Sequence, residues 1–202
     1  MDNSMIMILI VAAVVILAVA IALWVYMQKQ RTKRLRSRFG PEYNRTVRTE
    51  GSNKDAERIL EAREKRIQQI EVKPLSDRER ESFAQAWEQE QAHFVDQPRE
   101  AVNNADRLVT EVMKARGYPM GDFDQRAADV SVGHPVVVEN YRIAHYIALR
   151  DRKEPVSTET LREAMIHYRT LFADLLHDGG MQPIRDVLPR RESAARAREA
   201  GR

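Results

Sequence analysis

From Met5 to Met27 the chain runs for 23 residues without a charge, a proline or a glycine, and thirteen of them are Ile, Leu or Val. At about 1.5 Å rise per residue a helix over this stretch is roughly 35 Å long. That matches a hydrocarbon core of about 30 Å with some tilt. In lipid the backbone must satisfy its own hydrogen bonds, so the span is predicted to be an α-helix.

Beyond it, the apolar positions fall in helical stripes. The first helix is predicted to continue to about Arg38, where Phe39-Gly40-Pro41 breaks it. Residues 55–70 read as a mostly charged helix capped by Ser52 or Asn53, with a thin stripe of Ile59, Leu60, Ile67 and Ile70. Such a helix is either a solvated stalk or an amphipathic helix resting on something.

Ser76-Asp77-Arg78-Glu79 reads as a capping box. It opens a helix with Phe83, Trp87 and Phe94 on one face. Pro98 suits a first helical position. Ala101, Ala105, Leu108 and Val112, widened by Val102, Val109 and Met113, make the next stripe. Gly117 and Pro119 stop it. A short helix is expected over 123–130, with Asp122 as its cap. Another follows from Pro135 to about Arg152, with Tyr141, Ala144, Ala148 and Leu149 inward. Val136-Val137-Val138 would also suit a short strand, because β-branched residues are poor helix formers, but no second strand is there to pair with it. The last helix starts at Ser157 or Thr158 and carries the fullest stripe: Leu161, Ala164, Met165, Tyr168, Leu171, Phe172, Leu175 and Leu176. Gly179-Gly180 is expected to end it.

The predicted fold is therefore all-α: one N-terminal transmembrane helix, a basic juxtamembrane segment and a helical cytoplasmic domain. The division is an anchor over 1–28, a basic linker over 29–51, a charged helix or stalk over 52–72, a helical domain over 73–180, and a disordered Arg-rich tail over 181–202.

Charge settles the orientation of this scheme. Lys29, Arg31, Lys33, Arg34, Arg36 and Arg38 follow the apolar run with no acid among them, whereas Asp2 is the only charged side chain before it. The positive-inside rule then leaves the N-terminus outside and the body in the cytoplasm. Trp24 and Tyr26 stand where an aromatic belt meets the inner headgroups. The same basic run can clamp anionic lipid. A cleaved signal peptide, giving a secreted or periplasmic protein, is the rival. Ala18-Val19-Ala20 or Ala20-Ile21-Ala22 offers a cleavage site, but the basic n-region is missing and the apolar run is too long. Ala18 and Ala22 form a small-xxx-small pair that would allow weak homodimerisation.

The whole chain has a net charge of +3, yet residues 39–189 hold 22 basic and 27 acidic side chains. A mildly acidic body argues against nucleic acid as a partner. With no cysteine there is no disulfide, no thiolate zinc site and no thiol nucleophile. Phosphate-loop, dinucleotide, HExxH and GxSxG motifs are all missing. The histidines do not fall three or four apart, so no helix face offers a metal pair. His145 and His167 would either face each other across two helices, near Glu139 or Glu163, or each hydrogen-bond at a helix edge. No cofactor or metal is expected, and neither is catalysis.

The polar side chains that remain gather in the 118–145 segment: Asp122, Asp124, Arg126, Asp129, His134 and Arg142. They make it the candidate binding segment, since loops carry function more often than regular elements do. Trp87, if exposed, would mark a groove for a partner.

Arg38-Phe39-Gly40-Pro41-Glu42-Tyr43-Asn44-Arg45-Thr46-Val47 follows the anchor. Gly117-Tyr118-Pro119, then Asp122-Phe123-Asp124-Gln125-Arg126-Ala127-Ala128-Asp129, His134-Pro135 and Asn140-Tyr141-Arg142 come later. With the anchor, these stretches resemble an uncharacterised family of small bacterial single-pass membrane-anchored proteins. The resemblance spans most of residues 5–178. It implies a bacterial inner-membrane setting and no activity, and it carries over no site residue. Some members bear the default label "secreted protein", which follows from an anchor that looks like a signal peptide.

Three functions compete on this basis. The first is a membrane-tethered, non-catalytic helical adaptor for a protein partner. The second is a small-ligand or enzymatic domain using the 118–145 segment. The third is an anionic-lipid surface sensor. The near balance of Lys54, Arg58, Arg63, Lys65 and Arg66 against Asp55, Glu57, Glu61 and Glu64 weakens the third.

Overall fold

The computed structural model describes residues 3–177, and among them there are eight α-helices and no strand. The expected tail over 181–202 and the Gly179-Gly180 stop lie outside the described residues. The helices are α1 (Asn3–Phe39), α2 (Pro41–Glu50), α3 (Asn53–Gln68), α4 (Asp77–Asp96), α5 (Pro98–Ala115), α6 (Phe123–Gly133), α7 (Val138–Lys153) and α8 (Thr158–Leu176). The chain divides into two compact units. Among the described residues, the first takes in 3–72 together with Gly121–Glu139, and the second takes in Lys73–Met120 and 140–177.

The first unit is built around the C-terminal part of α1. One unbroken helix of 37 residues, about 55 Å long, joins the apolar run to this unit. Within α1, every residue from Val11 to Met27 is exposed, and the helix is long and apolar enough there to cross a membrane. Packing begins abruptly at Gln28. It recurs at Arg31, Thr32, Leu35, Arg38 and Phe39, the three-and-four spacing of one helix face.

Gly40 turns the chain with φ of 45°, a left-handed conformation that costs a side-chain-bearing residue more than it costs glycine. Pro41 starts α2, where its missing N–H is no loss. Gly51, also left-handed, closes α2 by donating its N–H to the Val47 carbonyl. The hydrophobic pattern does not announce α2, because two of its three buried residues, Glu42 and Thr46, are polar.

The helix α3 is not a free stalk. Ala56, Leu60 and Ile67 are buried, and α3 packs on α1, α2 and α6. Its acids hold the α1 arginines. Arg31 reaches Glu61 at 2.6 Å, Arg34 reaches Glu64 at 3.1 Å, and Arg38 reaches Glu64 at 3.0 Å. Thr32 and Tyr43 both donate hydroxyl hydrogen bonds to Glu57 Oε1, at 2.6 and 3.0 Å. Burial raises the Tyr43 pKa, which keeps the hydroxyl a donor. The rising order of both partners shows that α3 runs parallel to α1, with α2 antiparallel between them in the chain.

Glu57 is the hub of this clasp. Replacing it with alanine would orphan the buried Tyr43 hydroxyl and the Thr32 hydroxyl together. The expected loss is about 3 kcal/mol, and the glutamine variant should recover part of it. Amide exchange across α3 in the detergent-solubilised full chain measures the loss. Unchanged protection in Glu57→Ala would mean that the apolar stripe alone seats α3.

The second unit has α5 at its centre, packed on α4 and α8. The capping box at Ser76 is present, with the Ser76 side chain accepting from the Glu79 N–H and Glu79 accepting from the Ser76 N–H. Ser157 caps α8 with a single side-chain bond, accepting from the Thr160 N–H. All seven stripe positions of α5 and all eight of α8 are buried. In α7, Tyr141, Ala144 and Ala148 point inward as expected, but Leu149 does not. It is 42% exposed, and Ile147 takes the inward place at 7%. The sequence pattern alone cannot choose between them, because both are aliphatic and two residues apart. The Val136-Val137-Val138 run is no strand, since residues 135–137 form a turn into α7.

Arg116 is buried to 1% and donates from Nη1 to the Leu175 carbonyl at 2.6 Å. It thereby neutralises the C-terminal end of the α8 dipole.

Candidate functional site

A polar concavity of the first unit lies between α3 and α6. It is a groove of about 440 Å³, with Arg63 and Arg66 on the α3 side and Asp122, Asp124 and Gln125 on the α6 side. Two of the expected segment residues, Asp122 and Asp124, therefore line it. Asp122 is also the N-cap of α6, accepting from the Gln125 N–H at 2.8 Å. Arg126 donates from Nη1 to the Gly121 carbonyl at 2.7 Å and so fastens the entry to the same helix.

Asp129 is fully buried. Its Oδ1 accepts from Gln125 Nε2 at 2.9 Å and stands 3.2 Å from Arg66 Nε. Its Oδ2 has no hydrogen-bond partner among the described residues. Burial raises the Asp129 pKa above its ordinary value, against the opposing pull of the Gln125 hydrogen bond, Arg66 and Arg63.

This shift has a definite sign in stability. The folded state holds the proton to higher pH than the unfolded chain does. The contribution is therefore fully present below the unfolded pKa, and it is lost as pH rises through the folded one. Asp129→Asn should remove that falling component. Urea unfolding of both proteins in mildly acidic and neutral buffer checks it: the variant should lose less stability, or gain more, across the interval. Parallel pH profiles would show that the Arg66 pair outweighs burial.

The remaining segment residues are not brought to this groove. His134 is buried at the end of α6, where its N–H donates to the Val130 carbonyl at 2.8 Å. Arg142 lies on α7 and belongs to the second unit. Sequence reasoning missed Arg63 and Arg66, which read as ordinary charges of a polar helix. Only the placement of α6 against α3 brings them beside the aspartates.

In the second unit, Tyr168 donates its buried hydroxyl to Asp106 at 2.9 Å, and His145 Nδ1 stands 3.5 Å from the same oxygen. Burial, with the Asp106 charge adding to it, pushes the Tyr168 pKa well up, so the phenol stays a donor. His167 Nδ1 meets Asn140 Oδ1 at 2.7 Å. Each histidine thus has its own hydrogen-bonding or charged neighbour at a helix edge. Among the described residues no group of three or more His, Asp or Glu is placed to hold a metal ion.

Trp87 is 5% exposed and stacks on Phe172 with ring centroids 4.7 Å apart. It is a core residue, not an exposed anchor. It does border a shallow groove of about 150 Å³ with Phe94, Ile166, Arg162 and Arg169.

No protein-family model matches the chain, and neither a curated protein nor a solved structure matches it. Among the described residues the body is all-helical, and one N-terminal helix is long and apolar enough to cross a membrane or to serve as a signal anchor.

Proposed function

We propose that this protein is a non-catalytic adaptor, tethered by an uncleaved single span to a bacterial inner membrane, with its helical body in the cytoplasm. The observation that carries this reading is the boundary within α1. The same helix is apolar and exposed from Val11 to Met27 and packed into a folded unit from Gln28. A bare apolar surface of this kind in water is strongly unfavourable, so lipid or another apolar helix must cover it. The basic residues from Lys29 to Arg38 supply the juxtamembrane charge that retains the body on the inner side.

An adaptor role is favoured over catalysis by how the polar side chains are employed. Asp122 caps a helix, Arg126 holds a backbone carbonyl and Asp129 pairs with Arg66. The lipid-sensor alternative needs the apolar face of α3 to be available, and that face is already packed on α1, α2 and α6. Small-ligand binding in the α3/α6 groove is the second reading, favoured by the unpartnered Oδ2 of Asp129, whose other oxygen is held by the groove residues Gln125 and Arg66.

The test is a cytoplasm-active and a periplasm-active reporter, each fused after Arg202, with a blot for intact mass. Activity of the cytoplasmic reporter on a full-length, membrane-bound chain is the expected result. A shortened chain with periplasmic activity overturns it and moves the search for partners to the envelope. A crosslinked-membrane pull-down that recovers no specific protein removes the adaptor role while leaving the tether intact.

A further inference from the structure

The structure sorts the basic residues near the anchor into two sets. Arg31, Arg34 and Arg38 turn toward Glu57, Glu61 and Glu64 of α3. Arg36 lies over the Tyr43 ring, 5.1 Å from its centroid. Lys29 and Lys33 are exposed and have no acidic partner among the described residues.

The fold then adds two cations that are remote in sequence. The pairs between α1 and α3 join residues 25 to 30 positions apart. Since the two helices run parallel, Asn53 stands level with residues 23–28 of α1, the turn that carries Trp24 and Tyr26. Because α2 is antiparallel to α3, Arg48 lies within one turn of the Gly51-Ser52 connection, as does Lys54 on the other side of it. Arg48 and Lys54 are also exposed and have no acidic partner among the described residues. The acids near these cations are Glu50, Asp55, which is held by Arg58 at 3.2 Å, and Glu139, which shares a groove with Arg48 and is held by Arg45 at 3.4 Å.

We propose that Lys29, Arg48 and Lys54, brought to one level from three helices, seat the first unit on anionic lipid headgroups. The proposal rests on α1 spanning a bilayer. Its further content is that the unit lies against the membrane surface instead of standing off it, and that the contact uses these three residues and not the arginines of the clasp. Two features select lipid as the occupant. The patch is continuous with the last apolar turn of α1, and its uncompensated charge is opposite to that of an anionic leaflet. Lys33 is one turn further from the apolar run and contributes less. The connection facing the headgroups, Glu50-Gly51-Ser52-Asn53, is polar throughout and carries no side chain that would enter the hydrocarbon.

The chain has no cysteine, so single reporters are easily placed in the full-length protein. Labels at Asn53→Cys, Ser37→Cys and Leu17→Cys are compared in nanodiscs of phosphatidylcholine, alone or mixed with phosphatidylglycerol. Quenchers held in the headgroup layer and in the acyl layer report depth. Leu17 should respond to the acyl quencher. Asn53 should respond to the headgroup quencher when phosphatidylglycerol is present, whereas Ser37, about 15–20 Å further along α1, should not. The triple variant Lys29→Gln/Arg48→Gln/Lys54→Gln should abolish the lipid dependence, at about fivefold in the bound-to-free ratio per residue. Amide exchange of α3 shows whether that variant is still folded, and Lys54→Gln alone gives the same direction with less disturbance.

An Asn53 label as remote from the headgroups as Ser37 in both lipids overturns the proposal. So does a label close to the headgroups but indifferent to phosphatidylglycerol. A Leu17 label that stays in water removes the span itself, and the proposal with it.

Discussion

Replacing Trp87 with alanine is expected to cost the second unit about 3–5 kcal/mol, the range for deleting a buried large aromatic side chain. The side chain is almost fully buried, and its ring lies nearly parallel to Phe172, 23° between planes. Truncation would open a cavity and strip one face of Phe172 of its contacts. The indole Nε1 has no hydrogen-bond partner among the described residues, so it contributes a desolvation cost instead of a bond. Trp87→Phe should therefore lose well under half of what alanine loses: it keeps an aromatic face for the stack and removes the unpaired donor. Urea unfolding of the two variants, followed by far-ultraviolet dichroism, tests both statements. Equal losses would mean that the indole N–H is satisfied, for instance by water.

The second large effect concerns the anchor. Ile16→Arg with Val19→Arg should move the protein from the membrane pellet to the soluble fraction after alkaline extraction. Each arginine at the centre of a span costs about 2.5–3.5 kcal/mol, and the thirteen aliphatic residues together favour insertion by roughly 4–8 kcal/mol. Two substitutions are thus enough to cancel the driving force. Both positions are exposed, so the unfolding of the second unit should be unaltered. Retention in the pellet would show that something other than the apolar helix holds the chain there.

The elements visible in the sequence are those where one physical signal dominates. The α5 and α8 stripes are apolar at helical spacing, and burial follows them residue by residue. Ser52, Ser76, Asp122 and Ser157 are caps because a short acceptor side chain precedes each helix. The element that was not visible, α2, buries Glu42 and Thr46. Its polar face becomes interior only because Arg63 pairs with Glu42 at 2.9 Å, and Thr46 returns its hydroxyl hydrogen to the Glu42 carbonyl. No hydrophobic period records such a helix. Leu149 shows the limit from the other side: an apolar residue on a helix needs no buried place, and the neighbouring packing gave the place to Ile147.

The candidate site divides in the same manner. Asp122 and Asp124 were legible as a polar loop-to-helix entry. Arg63 and Arg66 were not, because they sit roughly 60 residues upstream on a helix whose charges look interchangeable. Their proximity is a consequence of α6 packing on α3, which no local pattern encodes.

By itself the sequence determined the helices that rest on local signals and the single apolar run, because periodicity, caps and uninterrupted hydrophobicity act within a few turns of chain. The tertiary structure decided what the charges do. Six cations in ten residues carry the same formal charge on paper, but the parallel seating of α3 commits Arg31, Arg34 and Arg38 to the acids of Glu57, Glu61 and Glu64, and leaves Lys29 and Lys33 exposed. Coulomb energy depends on distance between partners, and the distance between residues 25 to 30 apart along the chain is set by the fold.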